Sequence, residues 1–369
     1  MRSAIVHDWL TGMRGGEAVL EALCEMLPQS DLYTMVYVPG STSRAIEGRT
    51  VHTSLLNRLP AVARYYRLLL PAMPLAAGRM TLRGYDLVVA SSHCVAHGVN
   101  VPPSTRFVCY CHTPMRYAWE GREAYFPGRK RLDPRYWVLR LLGDYLRNWD
   151  RRASRSVTQY FANSRNVQER IGRCYGRDSV VMYPPVDTDF YRPLGQPPGD
   201  FYLWVGALAP YKRIDLALEA FRGLDRPLVV IGHGQQYGRA RRSASRNVRF
   251  LGRQPRSVLR RYYGTCRALI FPGEEDFGIV PVEAQACGRP VVAYGRGGAL
   301  ETVAGIDSVR GREAPTGVFF HAPTAQALRE AVVRFERAER EFDPRATRAN
   351  ALRFSRERFK AAMTEYLVA

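Results

Sequence analysis

The sequence predicts an α/β protein in two domains, on three observations. Its 369 residues exceed what one hydrophobic core of usual size organises. Short apolar runs end in glycine or polar residues and lead into segments of helical period, as strands of an open parallel sheet do. A stretch rich in Pro and Gly, residues 184–200, separates two such series. A hydrophobic content of 46% with 24% charged residues fits a soluble globular chain.

The first series opens with a strand at Ala4, Ile5 and Val6, running into His7-Asp8-Trp9. The loop Thr11-Gly12-Met13-Arg14-Gly15-Gly16 then precedes a helix marked by Val19, Leu20, Leu23 and Leu27. Adjacent Gly15 and Gly16 at a strand-to-helix turn allow a ligand or another backbone to come close. Residues 55–83 mix Leu, Tyr and Met with Arg58, Arg64, Arg67, Arg79 and Arg83 and contain no acid. Two readings stand there: a segment for a membrane interface with anionic lipid, or a Pro-broken helical hairpin packed on the sheet. Strands follow at 86–90 and 106–111, ending in Ser91-Ser92-His93 and in His112-Thr113-Pro114-Met115-Arg116-Tyr117. Imidazole titrates near neutrality, so His112 at a strand's carboxyl end can take or hold the proton of an attacking hydroxyl. Arg116 favours an anionic acceptor. From 135 to 156, Val138, Leu141, Leu142, Tyr145 and Trp149 have helical spacing, interleaved with arginines, which reads as core packing with a basic outer face.

The separating stretch contains Asp187-Thr188-Asp189, a formal D-x-D, with no cluster of acid or His beside it. It reads as structural, and no catalytic metal is expected. A second series begins at Phe201 and passes through Gly206, Lys212 and Arg213. It continues to a strand ending in Gly232-His233-Gly234 and to Phe250-Leu251-Gly252-Arg253. Its centre is residues 268–303, ALIFPGEEDFGIVPVEAQACGRPVVAYGRGGALETV. There a buried strand, a loop of three acids with Phe277-Gly278, a helix from Ile279 and a further strand follow one another. Pro281 is tolerated in the helix's first turn because its N–H would have no intrahelical partner. Glu275 in the loop and Glu283 in the helix stand at the strand's carboxyl end, where open parallel sheets bind ligands. Carboxylates accept sugar hydroxyls and free helix N–H groups receive phosphate oxygens, so a nucleotide sugar fits. Lys212 can neutralise a leaving diphosphate as a point charge.

The E-x7-E with Phe-Gly after its first acid, then Ala-Cys-Gly-x-Pro-Val-Val-Ala and Gly-Gly-x-x-Glu, resembles the donor site of family 4 retaining glycosyltransferases. That resemblance implies the GT-B fold: two Rossmann-like domains facing each other across a cleft. The implied domains are an acceptor-binding one over 1–190, a nucleotide-sugar-binding one over 200–350, and a last helix, 351–369, crossing back to the first. The resemblance gives Glu275 the donor sugar's hydroxyls and Glu283 the ribose diol. Phe277, Gly278 and Ile279 present backbone, Lys212 with Arg213 meets the diphosphate, and Gly206, Gly232 and Arg253 edge the nucleotide. The family's usual Arg after Gly206 is Ala207 here. HDWLTGMRGGE with CHTPMRY resembles the bacterial O-antigen and exopolysaccharide mannosyltransferases. This branch implies GDP-mannose as donor, a polyprenyl-diphosphate-linked or other anionic glycan as acceptor, His112 in catalysis, and no cofactor.

Net charge is +20, from 54 Lys and Arg against 34 Asp and Glu, which favours anionic partners. A basic nucleic-acid-binding protein is one alternative, but no recognised binding module is evident, and no nucleic-acid partner is expected. A sugar-nucleotide epimerase of the same fold is the other. Seven cysteines without zinc-knuckle spacing read as reduced, buried thiols. The longest apolar run, residues 68–77, is broken by Pro71 and Pro74 and too short to span a bilayer, and the first residues lack a signal peptide's apolar centre. A cytoplasmic location is expected, peripheral on the inner face of the membrane.

Overall fold

The structure, a computed structural model, describes residues 1–119, 134–308 and 314–368. The chain forms two compact units, Met1–Pro185 with Phe359–Ala369, and Val186–Arg358.

The first unit holds seven strands: β1 (Ser3–Leu10), β2 (Asp31–Tyr37), β3 (Val51–Thr53), β4 (Leu87–Ser92), β5 (Arg106–Cys111), β6 (Gln159–Ala162) and β7 (Ser179–Val181). Their order is β3-β2-β1-β4-β5-β6-β7 and every pairing is parallel. Both faces are covered, so the central strands are apolar on both sides. Val6, Val88, Phe107 and Tyr160 belong to one core cluster, and Ile5, Val89, Val108 and Phe161 to the other. The order reverses between β1 and β4, which opens a crevice at their carboxyl ends. β1 runs on through His7-Asp8-Trp9, where the sequence suggested that the strand had ended. Pairing with β2 on one side and β4 on the other holds it, and both polar residues are fully buried.

Residues 55–83 form short 3-10 turns and the helix Met73–Arg79. Val62, Tyr66, Met73, Ala76, Ala77 and Leu82 enter the core, while Leu55, Leu59, Leu68 and Leu75 stay exposed. The helix Pro134–Ala153 also departs from its expected packing. Leu142, Leu146 and Trp149 face the core, whereas Trp137, Leu141 and Tyr145 are exposed. One residue along a helix is a rotation of about 100°, so Leu141 and Tyr145, each one position before a core residue, turn outward. The side chain of Val138 lies outside the described residues. The helix Arg356–Val368 packs Phe359, Met363 and Leu367 beside Val19, Leu20 and Leu23 in the second cluster, with Lys360 Nζ 2.6 Å from Glu25.

The second unit is a six-stranded parallel sheet: β8 (Tyr202–Val205), β9 (Leu228–Ile231), β10 (Val248–Gly252), β11 (Leu269–Phe271), β12 (Val291–Tyr294) and β13 (Gly317–Phe320). The order is β10-β9-β8-β11-β12-β13, so the reversal falls between β8 and β11. Trp204, Val230, Ile270 and Val318 pack against Phe221, Leu328 and Phe335. All seven cysteines are free and buried.

Candidate functional site

In the second unit the candidate residues gather at the β8/β11 reversal. Gly206 follows β8, and the 3-10 turn Pro210–Lys212 follows it. Gly273 follows β11, and a Cβ there would lie 2.6 Å from the Tyr211 carbonyl oxygen and 2.9 Å from Lys212 Cα. With no side chain between them the two backbones touch, which brings Glu275 to Lys212. Their side chains form an ion pair, 13% exposed for Lys212 and 15% for Glu275. Partial burial strengthens such a pair and leaves both groups reachable by a polar ligand.

The acidic loop is held from behind. The Gly298 N–H donates to the Glu275 carbonyl at 2.8 Å, and a Cβ at Gly298 would lie 2.3 Å from Phe277 Cα. Phe277 is buried edge-to-face against Phe354. Gly278, at φ +89, starts the helix Ile279–Ala286, whose first N–H groups have no intrahelical acceptor. Gly232 seals the other side. It has φ +142, and a Cβ there would meet the Gly206 carbonyl oxygen at 1.8 Å. Arg253 is exposed just after β10. Arg213, in left-handed conformation at φ +51, turns its guanidinium onto Asp215 at 3.0 Å.

Glu283 sits deeper in the same helix. Burial pushes its carboxyl up to about 7, against a hydrogen bond from Tyr263 at 2.8 Å and the nearby Arg256. Arg256 pairs with Asp187 at 2.6 Å. Asp187 Oδ1 also accepts the Phe190 N–H at 3.0 Å, so this acid of the D-x-D closes a turn. Among the described residues no group of three His, Cys, Asp or Glu is placed to hold a metal ion.

In the first unit, His7, Ser91, His93 and His112 meet at the β1/β4 reversal. His7 and Ser91 are partners across the β1–β4 ladder, so their side chains rise on the same face. Ser91 Oγ lies 3.1 Å from His7 Nδ1 and 2.9 Å from His112 Nε2. Gly16 lies against the cluster, its absent Cβ 3.6 Å from His7 Cε1 and 3.7 Å from His112 Nε2; Gly15 opens the helix Gly15–Met26. Asp8 is fully buried and accepts four backbone N–H groups, from His93, Cys94, Val95 and Ala96, at 2.6 to 3.2 Å. It also pairs with His93 Nδ1 at 2.9 Å. Despite burial, the His93 cation and these N–H donors hold Asp8 well below the usual carboxylate range. Burial lowers His7, and pushes His112 well below the usual imidazole value with help from His93 and His7. For His93 burial acts downward too, but Asp8 outweighs it and the net shift is upward.

The sequence pointed to His112, Lys212, Glu275 and Glu283 but missed their supports. Ser91, His93 and Asp8 carried a signal, since each lies at or near a strand's carboxyl end. Tyr263, which bonds Glu283, carried none, because it lies inside an ordinary helix that precedes β11 and has no motif of its own.

Residues 13–190 match the family model described as Glycosyltransferase Family 4, and residues 192–352 the one described as Glycosyl transferases group 1. An uncharacterized glycosyltransferase of Methanocaldococcus jannaschii is 29% identical over 153 residues, 40% of this chain and 42% of the relative. A D-inositol 3-phosphate glycosyltransferase of Frankia alni is 34% identical over 162 residues, 36% and 39% of the two chains. The matched region thus spans about two fifths of these relatives' length. Among solved structures, sucrose-phosphate synthase from Thermosynechococcus elongatus has a TM-score of 0.72 at 16% identity, over 99% of this chain and 98% of that one. HepE of Anabaena, in complex with UDP-glucose, has a TM-score of 0.65 at 18% identity over 100% of both chains. At these identities the likeness is one of fold, two parallel-sheet Rossmann-like domains of the GT-B type.

Proposed function

The chain is built from a family 4 glycosyltransferase domain and a group 1 glycosyl transferase domain, and from that premise we propose that it moves a hexose from a nucleoside diphosphate sugar to a hydroxyl with retention at the anomeric carbon. The observation that carries the reading is the Lys212–Glu275 ion pair at the β8/β11 reversal, beside the free N-terminus of the helix that bears Glu283. Two carboxylates and an amide-lined helix end complement a ligand that joins sugar hydroxyls to a diphosphate. Glu275 binds the transferred sugar's hydroxyls and Glu283 the ribose diol, while Lys212 stabilises charge developing on the leaving diphosphate. Phe277, Gly278 and Ile279 offer backbone, and Gly206, Gly232 and Arg253 border the nucleotide. Arg213, engaged by Asp215, is a weaker candidate for the diphosphate than Lys212.

The reaction we favour is front-face displacement. The acceptor oxygen bonds to the anomeric carbon as the bond from that carbon to the phosphate oxygen breaks, and the acceptor's proton passes to the departing diphosphate. No cofactor or metal takes part. The HDW and HTPMRY motifs make GDP-mannose the first donor to test and a polyprenyl-diphosphate-linked or other anionic glycan the acceptor, in cell-surface glycan synthesis. Exposed Leu55, Leu59, Leu68, Leu75, Trp137, Leu141 and Tyr145, set among arginines on helices and turns that pack into one core cluster, support peripheral contact with an anionic membrane.

The donor site is tested by saturation-transfer NMR and thermal shift with GDP-mannose, UDP-glucose and UDP-GlcNAc. One of these is expected to raise Tm, and Glu275→Ala and Glu283→Ala each to abolish the response. A response to none of the three, or one unaltered in both variants, would overturn the assignment.

A further inference from the structure

We infer that Ser91 and His7 fix the tautomer of His112, so that this imidazole presents Nδ1–H to a substrate oxygen and serves as a hydrogen-bond donor in place of a base. The tautomer is a property of the free chain; only the identity of the substrate rests on the transferase reading.

Ser91 Oγ carries a single proton and stands between two imidazole nitrogens, 3.1 Å from His7 Nδ1 and 2.9 Å from His112 Nε2. It can donate to one ring only, so the other ring must donate to it. Two orders are available. In the first, His7 Nδ1–H donates to Ser91, and the Ser91 hydroxyl donates to His112 Nε2. In the second, His112 Nε2–H donates to Ser91, the hydroxyl donates to His7 Nδ1, and neutral His7 carries its proton on Nε2.

His7 decides between them. It is fully buried, and among the described residues its Nε2 has no hydrogen-bond partner. The second order would therefore strand an N–H in the interior, the rarer kind of unsatisfied group, whereas the first strands only a lone pair. Glu17 acts on His7 through its charge but makes no hydrogen bond to that nitrogen. The first order prevails, and it leaves the His112 proton on Nδ1.

Both rings must be neutral for this count to hold, and the surroundings keep them so. The ring of His93 lies 6.2 Å from each of the His7 and His112 rings, centre to centre. His93 is the ring paired with the Asp8 carboxylate, at 2.9 Å, and a cation there opposes a second one beside it. Burial acts in the same direction on His7 and His112. Among the described residues none hydrogen-bonds His112 Nδ1, and the residue is only partly buried. Its N–H is therefore available to a ligand. His7 and Ser91 are positioning residues, acting through His112 alone.

The experiment labels the histidines of the full chain with 15N and reads their tautomers from two-bond 1H–15N correlations; His112→Gln identifies the His112 signals. In the wild type Nδ1 is expected at the pyrrole-type shift and Nε2 at the pyridine-type shift. Ser91→Ala is expected to lose most of this Nδ1–H population to the Nε2–H form that free imidazole prefers, and Ser91→Thr to retain it. A wild-type His112 carrying its proton on Nε2 overturns the inference, as does an unchanged pattern in folded Ser91→Ala. Should that variant not fold, the wild-type spectrum alone decides. No donor is present, so the outcome is independent of whether the chain proves to be a glycosyltransferase.

Discussion

A carboxyl group that keeps its proton near neutrality makes stability depend on pH in a defined sense. Burial, opposed by Tyr263 and Arg256, raises Glu283 to about 7. Between its ordinary pKa and about 7 the native state holds a proton that the unfolded chain has released, so unfolding free energy falls as pH rises through that window. Glu283→Gln keeps the neutral shape. Its stability relative to the wild type is expected to rise by about 2 kcal/mol between pH 5 and pH 8, measured by urea unfolding at both values. A difference that is the same at both pH values would remove the raised pKa. Glu275 and Glu283 were legible because one contiguous stretch carries strand, loop and helix together. Tyr263 and Arg256, which tune Glu283, arrive from another helix, and only the fold brings them there.

At the scale of elements, glycine contacts hold the ends of the strands together. Gly232 has no room for a Cβ, which would sit 1.8 Å from the Gly206 carbonyl oxygen, and its φ of +142 disfavours any side chain. Gly232→Ala is expected to destabilise by about 3 kcal/mol or more, through overpacking and backbone strain together. Gly172 is the control. It lies in the helix Arg165–Tyr175 with nothing within 4 Å of its missing Cβ, so Gly172→Ala should be stabilising by about 0.5 to 1 kcal/mol. Thermal unfolding of both variants checks the pair, and equal shifts would refute the account. Gly232-His233-Gly234 could be read as a strand edge, but not the strand it would touch. The same limit explains the helix Pro134–Ala153. Its period was plain, yet the apolar residues span more than one face, and only packing selects Leu142, Leu146 and Trp149 for the core.

For the whole molecule, the charge of +20 gains meaning from where the apolar residues lie. Leu68 is 79% exposed, Leu141 69% and Trp137 49%, and Arg67 and Arg140 stand beside them. A polynucleotide surface is mostly phosphate and sugar and offers a row of exposed leucines little apolar area, whereas a bilayer surface offers acyl chains and anionic headgroups together. The chain is expected to float with vesicles containing phosphatidylglycerol at low salt and much less with purely zwitterionic ones. Trp137→Ala with Leu141→Ala should at least halve the bound fraction. Absence of flotation by the intact chain at low salt would end the membrane reading. Here the sequence left membrane contact and a packed hairpin open for residues 55–83. The fold shows that one segment has both an inward and an outward side, which sequence spacing in 3-10 turns does not separate.

The return of Phe359, Met363 and Leu367 to the first unit has a consequence for biosynthesis. A ribosome making about 5 to 20 residues per second needs on the order of ten to thirty seconds to cross the second unit before delivering that closing helix. Throughout that interval Val19, Leu20 and Leu23 lack their final cover. The nascent first unit therefore keeps that apolar face open until the closing helix arrives.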